Sequence, residues 1–339
     1  MSSKTLTAAG RNKEDEFYTQ ISDIENELRH YKEHFVGKTV LCNCDDPRVS
    51  NFFKFFSLNF KVLGLKRLIT TCYKNQQPDL FSEYASEHAV YLIYDGKKNE
   101  GCDVNSPNVD IKPLKGDGDF RSPECVELLK QADIVVTNPP FSLFRQFIEL
   151  MMKHKKKFLI IGNHDAMSYK EVFPLVKNNI IWLGTKAGDM KFRVPSYYPP
   201  RKSRYWVDKD GQKWRSHGNI CWYTNLDYPK RHEEMALGKK FWMNTYKEFD
   251  NYKAIDVDAV KDIPGDYFGP MGVPVTFMSK YNPEQFEILN ANDYRRNENV
   301  PIKAHGLIKD KDGSVDGKPK FVRILIRLRK EYYEAKHED

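Results

Sequence analysis

Asp133-Ile134-Val135-Val136-Thr137-Asn138-Pro139-Pro140-Phe141 is the stretch whose reading decides the fold. A short β-branched run closed by a Pro-Pro turn predicts a buried parallel strand whose carboxyl end opens into a rigid loop. In open α/β sheets, ligands bind at that end. The Asn138 carbonyl, a main chain fixed by Pro139 and Pro140, and the ring of Phe141 make a compact device for gripping an exocyclic amine on a flat heterocycle. The amine donates and the ring stacks. The competing reading is a proline-capped turn with Phe141 in a core.

Working outward, Thr39-Val40-Leu41-Cys42 reads as an earlier strand, followed by the turn Asn43-Cys44-Asp45-Asp46-Pro47. Phe52, Phe53, Phe55, Phe56, Phe60 and Leu63 then recur at helical spacing, and Leu65 to Thr70 forms a second strand. Strand, helix, strand implies parallel pairing through a right-handed crossover. Ahead of this unit a helix follows Phe17, with Ser22 as N-cap, Glu25 completing a capping box, and Ile24, Leu28 and Tyr31 on one face. A hairpin is expected around Tyr91 to Gly96. Further helices are expected at Pro123–Lys130, Leu143–Met152 and Tyr169–Lys177, and strands at Phe158–Gly162, Ile180–Leu183 and Ile220–Thr224. Lys155, Lys156 and Lys157 read as a solvated helix cap. From residue 228 the texture changes to Pro and Gly turns with short strands at Val275–Met278 and Phe321–Leu328. The resulting division is a mobile tail at 1–14, an α/β domain at 15–227 carrying an insert at 185–218, and a mixed α+β region at 228–339.

At 339 residues with 40% hydrophobic and 30% charged side chains, the chain is sized for a soluble protein of two domains. The first residues lack a secretory apolar region and no stretch has the length of a membrane span, so a cytoplasmic location without membrane contact is expected. Six cysteines fall without C-x-x-C spacing, which predicts reduced thiols and no metal. Of a net charge of +7, six charges fall between Lys191 and His217. There Lys191, Arg193, Arg201, Lys202, Arg204, Lys209, Lys213 and Arg215 face only Asp208 and Asp210 and alternate with Tyr197, Tyr198, Tyr205, Trp206 and Trp214. Such interleaving suits a polyanion with flat bases. Its plain alternative is an exposed, solvated hairpin.

Transfer to an exocyclic amine needs a donor held where the first strand ends. Asp45, Asp46 and Pro47, in the turn that starts at Asn43, stand there. A carboxylate could hold a cofactor's ammonium or hydroxyls, although an acidic helix cap would look the same. Asp117 and Asp119 flank Gly118 ahead of Phe120, where a carboxylate could accept from an adenine amine and the ring could line its pocket. A plain Gly-Asp turn is the alternative. Phe17-Tyr18-Thr19 offers aromatic faces that attract a sulfonium.

Taken in order, the aromatic-Thr motif, the Asp-Pro turn, the Gly-Asp-x-Asp-Phe turn and NPPF resemble the amino-methyltransferases that use S-adenosylmethionine. More closely, DEFYTQ, DIENEL, CNCDDPRVSNFFKFF, GDGDFRS, DIVVTNPPFSLFR, KKFLIIGN, YKEVFPL, IWLG, TNLD, MGVPVTF and NPEQFE resemble the EcoRI-type adenine-specific DNA methyltransferases, over roughly residues 14 to 328. The resemblance implies a Rossmann-like S-adenosylmethionine-dependent methyltransferase sheet in the α/β domain and a target-recognition role for the C-terminal region. It implies that Asn138 and the Pro139 carbonyl accept hydrogen bonds from adenine N6 and that Phe141 stacks on the flipped base. Phe17, Tyr18 and Thr19 would embrace the methionine part of S-adenosylmethionine. Asp45 and Asp46 would stand at the cofactor loop, and Asp119 with Phe120 at the adenine turn. Lys191, Arg193, Arg201, Lys202, Arg204, Lys213 and Arg215 are the candidates for contact with double-stranded DNA. Arg48-Val49-Ser50 departs from the glycines usual at the cofactor loop. The family further suggests GAATTC as target, action as a monomer, and a cognate restriction endonuclease that shares the site without a stable complex. Two other readings remain on residues alone: an amino-methyltransferase for RNA adenine or another exocyclic amine, and a non-catalytic DNA-binding module.

Overall fold

Ile134, Val135 and Val136 are buried in the middle of the main sheet, as a strand covered on both faces requires. The structure is a computed structural model describing residues 17–44, 46–48, 50–73, 89–96, 111–242, 245–302, 306–309 and 312–337. The main sheet collects β1 (Tyr18–Thr19), β2 (Thr39–Asn43), β3 (Arg67–Thr71), β4 (Val90–Tyr94), β5 (Ile111–Pro113), β6 (Ile134–Thr137), β7 (Lys157–Asn163), β8 (Trp182–Arg193), β9 (Tyr205–Val207) and β10 (Lys213–Thr224). Their order is β1-β8-β10-β7-β6-β2-β3-β4-β5, with β9 beside β10.

The inner four, β7, β6, β2 and β3, are parallel, with Leu159 opposite Val136, Val135 opposite Leu41, and Val40 opposite Leu68. Strand β4 turns antiparallel on β3 and β10 antiparallel on β7. The chain passes from β2 to β3 on one side and returns to β6 on the other, which makes the β2/β6 boundary a topological switch point. Asp133 fixes the register there, its carboxylate accepting from the Thr39 amide at 2.8 Å.

The helices α1 (Ile21–Leu28), α2 (Asn51–Leu58), α3 (Pro123–Gln131) and α4 (Phe144–Lys153) belong to the same unit. Ser50 caps α2, accepting from the amides of Phe52 and Phe53, and Ser122 caps α3 ahead of Pro123. The Phe-rich face of α2 is core, as expected: Phe52, Phe53, Phe55 and Phe56 are buried. Ser22 is not a cap. Gln20 occupies the N-cap position of α1 without a side-chain bond, because Thr19 is drawn into β1 and the helix starts directly after it. Lys156 caps a neighbouring helix rather than its own, its ammonium donating to the carbonyls of Lys130 and Ala132 at the end of α3.

Two compact units divide the chain: Met1–His164 with Gly184–Leu226, and Asp165–Leu183 with Asp227–Asp339. The expected single stretch 15–227 is therefore interrupted. Residues Asp165–Leu183 cluster with the C-terminal ones because α5 (Phe173–Lys177) packs on a strand of the second sheet. That sheet orders β11 (Ile255–Asp256), β12 (Met271–Pro274), β16 (Arg323–Leu328) and β13 (Phe286–Leu289); β14 (Ser314–Val315) pairs with β15 (Lys318–Pro319) apart from it, and α6 (Lys330–His337) ends the unit. The run Val275–Met278 is not a strand. It belongs to a 3-10 turn, Val275–Lys280, since Pro274 cannot donate to a ladder and ends β12. Phe249, Tyr252, Leu289, Ile308 and Leu325 form the core of this unit. The expected tail at 1–14 lies outside the described residues.

Candidate active site

The NPPF loop leaves β6 at the switch point, Pro139 buried and Asn138 and Phe141 half-buried. The Asn138 amide nitrogen donates to the Phe17 carbonyl at 2.8 Å and to the Thr19 hydroxyl at 3.3 Å. Two acceptors on the nitrogen fix which way the amide faces, and its Oδ1 is left buried without a hydrogen-bond partner among the described residues. Thr19 is itself held on two sides, pairing with Phe192 of β8 and accepting at its carbonyl from Asn51 Nδ2 of α2 at 2.7 Å. Sequence positions 17–19 and 138–141 thus meet.

Aromatic rings gather on the same spot. Phe17 stacks on Phe141 at 5.4 Å between centroids and 23° between planes. Phe192 lies 5.5 Å from Phe17 and Tyr198 6.2 Å. His217, from β10, stands edge-on at 4.8 Å from Phe17 and 6.1 Å from Phe141. Sequence reading passed over Phe192 and His217, because only the sheet brings β8 beside β1 and β10 beside β8.

A row of orphaned polar atoms continues along the carboxyl ends of the parallel strands. Asn43 Oδ1, Thr70 Oγ1 and Thr71 Oγ1 are buried and unpartnered among the described residues, like Asn138 Oδ1. Buried polar groups are ordinarily satisfied, and such a row could hold a ligand carrying hydroxyl and amino groups. The turn after β2 starts with Cys44 at φ +74°, a left-handed conformation costing roughly 1–2 kcal/mol without glycine. This residue supplies the bend for which the sequence has no glycine. Asp45 lies outside the described residues and Pro47 is buried.

Asp46 and Asp119 are clasped in the same way. Asp46 accepts from the amide and Nε of Arg48 and pairs with its guanidinium at 2.5 Å. Asp119 does likewise with Arg121. Burial pushes the Asp119 carboxyl up, but the Arg121 bonds outweigh it and hold it below the usual range. Each clasp leaves only the remaining lone pair of its carboxylate for a ligand. Asp117 accepts from the Asp119 amide at 3.0 Å. Gly118, at φ +81°, lets the turn approach β3 so closely that a Cβ would lie 2.2 Å from the Cys72 carbonyl oxygen. Phe120 is buried, 5.0 Å from Phe147 and under the Arg121 guanidinium.

These features place a buried, unpartnered acceptor and a cluster of aromatic rings at the carboxyl ends of the parallel strands, beside a row of unpartnered polar atoms. The family model described as "Adenine-specific methyltransferase EcoRI" matches residues 5–329. The chain belongs to this family. It is similar to the Type II methyltransferase M.EcoRI of Escherichia coli, with 47% identity over 328 residues covering 96% of each chain. Type II methyltransferase M.MgeORF184P of Mycoplasma genitalium is 40% identical over 333 residues, covering 94% of this chain and 97% of the relative. Type II methyltransferase M.MpnI of Mycoplasma pneumoniae is 39% identical over 334 residues, covering 95% and 97%. No solved structure matches the chain.

In this methyltransferase the basic segment is threaded into the sheet: its arms are β8 and β10, with β9 added at the edge. Trp206 and Trp214 stack at 6.0 Å and 3°, and Asp208 accepts from Trp214 Nε1 at 2.7 Å. The Arg201 guanidinium lies 5.7 Å over Tyr198. Lys191, Arg201 and Lys202 are exposed. Arg204 is also exposed but bonds Asp189 at 2.9 Å, Arg215 donates to the Ser203 carbonyl, Lys213 to the Ser196 and Tyr198 carbonyls, and Arg193 is half-buried. Among the described residues no group of His, Cys, Asp or Glu could hold a metal ion, and no helix is long and apolar enough to cross a membrane.

Proposed function

We propose that the chain transfers a methyl group from S-adenosylmethionine to the N6 amine of an adenine turned out of duplex DNA, protecting that site from a cognate endonuclease. The observation that carries this reading is Asn138, with its amide nitrogen tied to Phe17 and Thr19 and its oxygen buried without a donor. An acceptor held in that way suits an incoming amine.

Adenine N6 is a weak nucleophile because its lone pair is delocalised into the ring. Acceptors at Asn138 and the Pro139 carbonyl favour the pyramidal, localised nitrogen, so they stabilise the transition state more than the ground state. The cofactor, when bound, supplies an electrophilic methyl on a sulfonium. Asn43, Thr70 and Thr71 would face its polar groups, Asp46 and Asp119 would offer their remaining lone pairs, and the aromatic faces of Phe17 and Tyr18 favour its cation. Holding nitrogen and methyl in line is the chain's main contribution.

Turning a base out of the helix costs a few kcal/mol. Stacking on Phe141, worth about 1–3 kcal/mol, offsets much of this. The Phe17 ring already holds that stacking position, and the adenine takes its place by a side-chain rotation of the kind common on binding. The basic ribbon supplies phosphate contacts.

The test is methyl transfer to duplex DNA followed by nucleoside analysis. N6-methyladenine is expected from the intact chain and none from Asn138→Ala with unchanged far-UV circular dichroism. Full transfer by Asn138→Ala would overturn the assignment, and N4-methylcytosine as product would redirect it to another base.

A further inference from the structure

His217 stands in the aromatic cluster around Phe141 described above, and the methyl transfer just derived makes no use of it. Its ring centroid lies 4.8 Å from Phe17, 6.1 Å from Phe141 and 6.1 Å from Phe192. With 5.4 Å between Phe17 and Phe141, the three rings of Phe17, Phe141 and His217 are mutual neighbours. Its Nε2 is buried without a hydrogen-bond partner among the described residues. Asn138 and His217, the two residues that carry the orphaned Oδ1 and Nε2, therefore both pack on Phe17, one bonded to its carbonyl through Nδ2 and the other against its ring. An apolar cluster has no use for either atom, since burying a polar group without a partner costs about 1–3 kcal/mol.

Resting on the reading of NPPF as the target-base pocket, we propose that His217 is the second polar wall of that pocket, its Nε2 donating a hydrogen bond to a ring nitrogen of the adenine beside the amine, N1 or N7. The chemistry of the base selects this direction. Adenine's only donor at that edge is the amine, which Asn138 and Pro139 engage, and its ring nitrogens can only accept. A donor is needed opposite them. Burial first, and then the charges of Arg215 and Arg204 against the opposing Asp189, push the His217 imidazole down to about 4. The ring is thus neutral in the physiological range, with one N–H to give and no charge to desolvate when the base arrives. Guanine carries a proton on N1, so a contact to N1 also selects against it, whereas guanine N7 accepts as adenine N7 does and a contact there leaves that choice to Asn138.

The experiment is a coupling cycle between enzyme and substrate. Single-turnover methylation is measured for the full chain, His217→Phe and His217→Gln, on duplexes whose target base is adenine, 1-deazaadenine, 7-deazaadenine or 3-deazaadenine. His217→Phe keeps a flat ring but removes the donor; His217→Gln places an amide N–H near the position of Nε2. On adenine, His217→Phe is expected to lose about 10-fold, with His217→Gln recovering part of the loss. On either the 1-deaza or the 7-deaza substrate the His217→Phe loss disappears, whereas on the 3-deaza substrate it persists. Such non-additivity is the signature of a direct contact. No loss on adenine, or an equal loss on all four bases, overturns the proposal. If His217→Phe melts below the assay temperature, the His217→Gln comparison on the same four substrates decides by the same criterion. Asn138→Ala is run alongside: full activity in that variant sinks the pocket itself, whereas an inactive Asn138→Ala with uncoupled His217 variants sinks only the role of His217.

Discussion

The Asn138 amide nitrogen donates to the Phe17 carbonyl at 2.8 Å, joining residues 121 positions apart. This bond ties the NPPF loop to the segment that leads into the short strand β1 and sets the orientation of the unpartnered Asn138 Oδ1. In Asn138→Asp an oxygen takes the place of the nitrogen and meets the Phe17 carbonyl and the Thr19 hydroxyl. The anchor is lost while an acceptor remains. Single-turnover methylation at pH 7.5 should fall roughly 100-fold, equivalent to about 3 kcal/mol. As pH falls toward 5 a growing fraction of the carboxyl is protonated and donates to Phe17 again, so the deficit narrows. A rate ratio to the parent chain that stays constant with pH would detach this bond from the chemistry.

His217 carries a pH dependence of stability whose sign follows from its surroundings. Its folded-state value is lowered from 6.5 to about 4, by burial first and then by Arg215 and Arg204. The unfolded chain therefore takes up a proton before the folded one does. The contribution of His217 is fully present above about pH 6.5, declines as pH drops below that value, and reaches its minimum once the folded-state value is passed. Thermal melts between pH 7 and 4 should show the melting temperature falling more steeply for the parent chain than for His217→Phe, which has no proton to accept. Parallel curves would place the imidazole in water.

Glu27 is a buried carboxylate on α1 with four donors: the Thr185 amide at 2.7 Å, the Thr185 hydroxyl at 2.6 Å, the Lys186 amide at 3.0 Å and the Tyr31 hydroxyl at 3.0 Å. It pins β8 to α1, and Gly184 leaves room for it, since a Cβ there would lie 2.3 Å from Glu27 Oε1. Burial still raises its carboxyl above the usual value despite those donors. Glu27→Gln turns an NH2 group toward groups that themselves donate. It should lower unfolding free energy by about 2–4 kcal/mol, read as a shift in urea midpoint at constant slope. An unchanged midpoint would show that β8 needs no such anchor.

The parallel half of the main sheet was legible because β2, β3, β6 and β7 are short apolar runs with turn residues at their ends, and a buried parallel strand has no other appearance. Asn138 was legible for the same reason, as it follows such a run. His217 and Phe192 were not, because nothing local distinguishes them: they matter through the pairing of β1 with β8 and the place of β10 beside it, contacts that span most of the chain. The sequence marked Asp46 and Asp119 as turn residues, but their arginine clasps went unnoticed, although Asp46-x-Arg48 and Asp119-x-Arg121 share one spacing. The grouping of Asp165–Leu183 with the C-terminal unit escaped for a further reason. Alternating strands and helices look the same whichever sheet they join.

The cations of the basic ribbon differ in exposure and in the partners that hold them, and that difference predicts which of them set the salt dependence of DNA binding. Lys191, Arg201 and Lys202 project from the ribbon, whereas Arg204 is paired with Asp189 and Arg215 donates to the Ser203 carbonyl. Each phosphate contact contributes a slope of about −0.9 in the logarithm of the binding constant against the logarithm of salt concentration. Replacing Lys191, Arg201 and Lys202 together by Gln should reduce the magnitude of that slope by about 2–3 and weaken binding to all duplexes alike. Arg204→Gln should act chiefly on stability, since it removes the partner of Asp189 and the guanidinium packed over Gly218, and should leave the slope within about one unit of the parent's. Titrations by fluorescence anisotropy at five salt concentrations separate the two classes. A triple variant with the parent's slope would move the phosphate-binding surface off this ribbon.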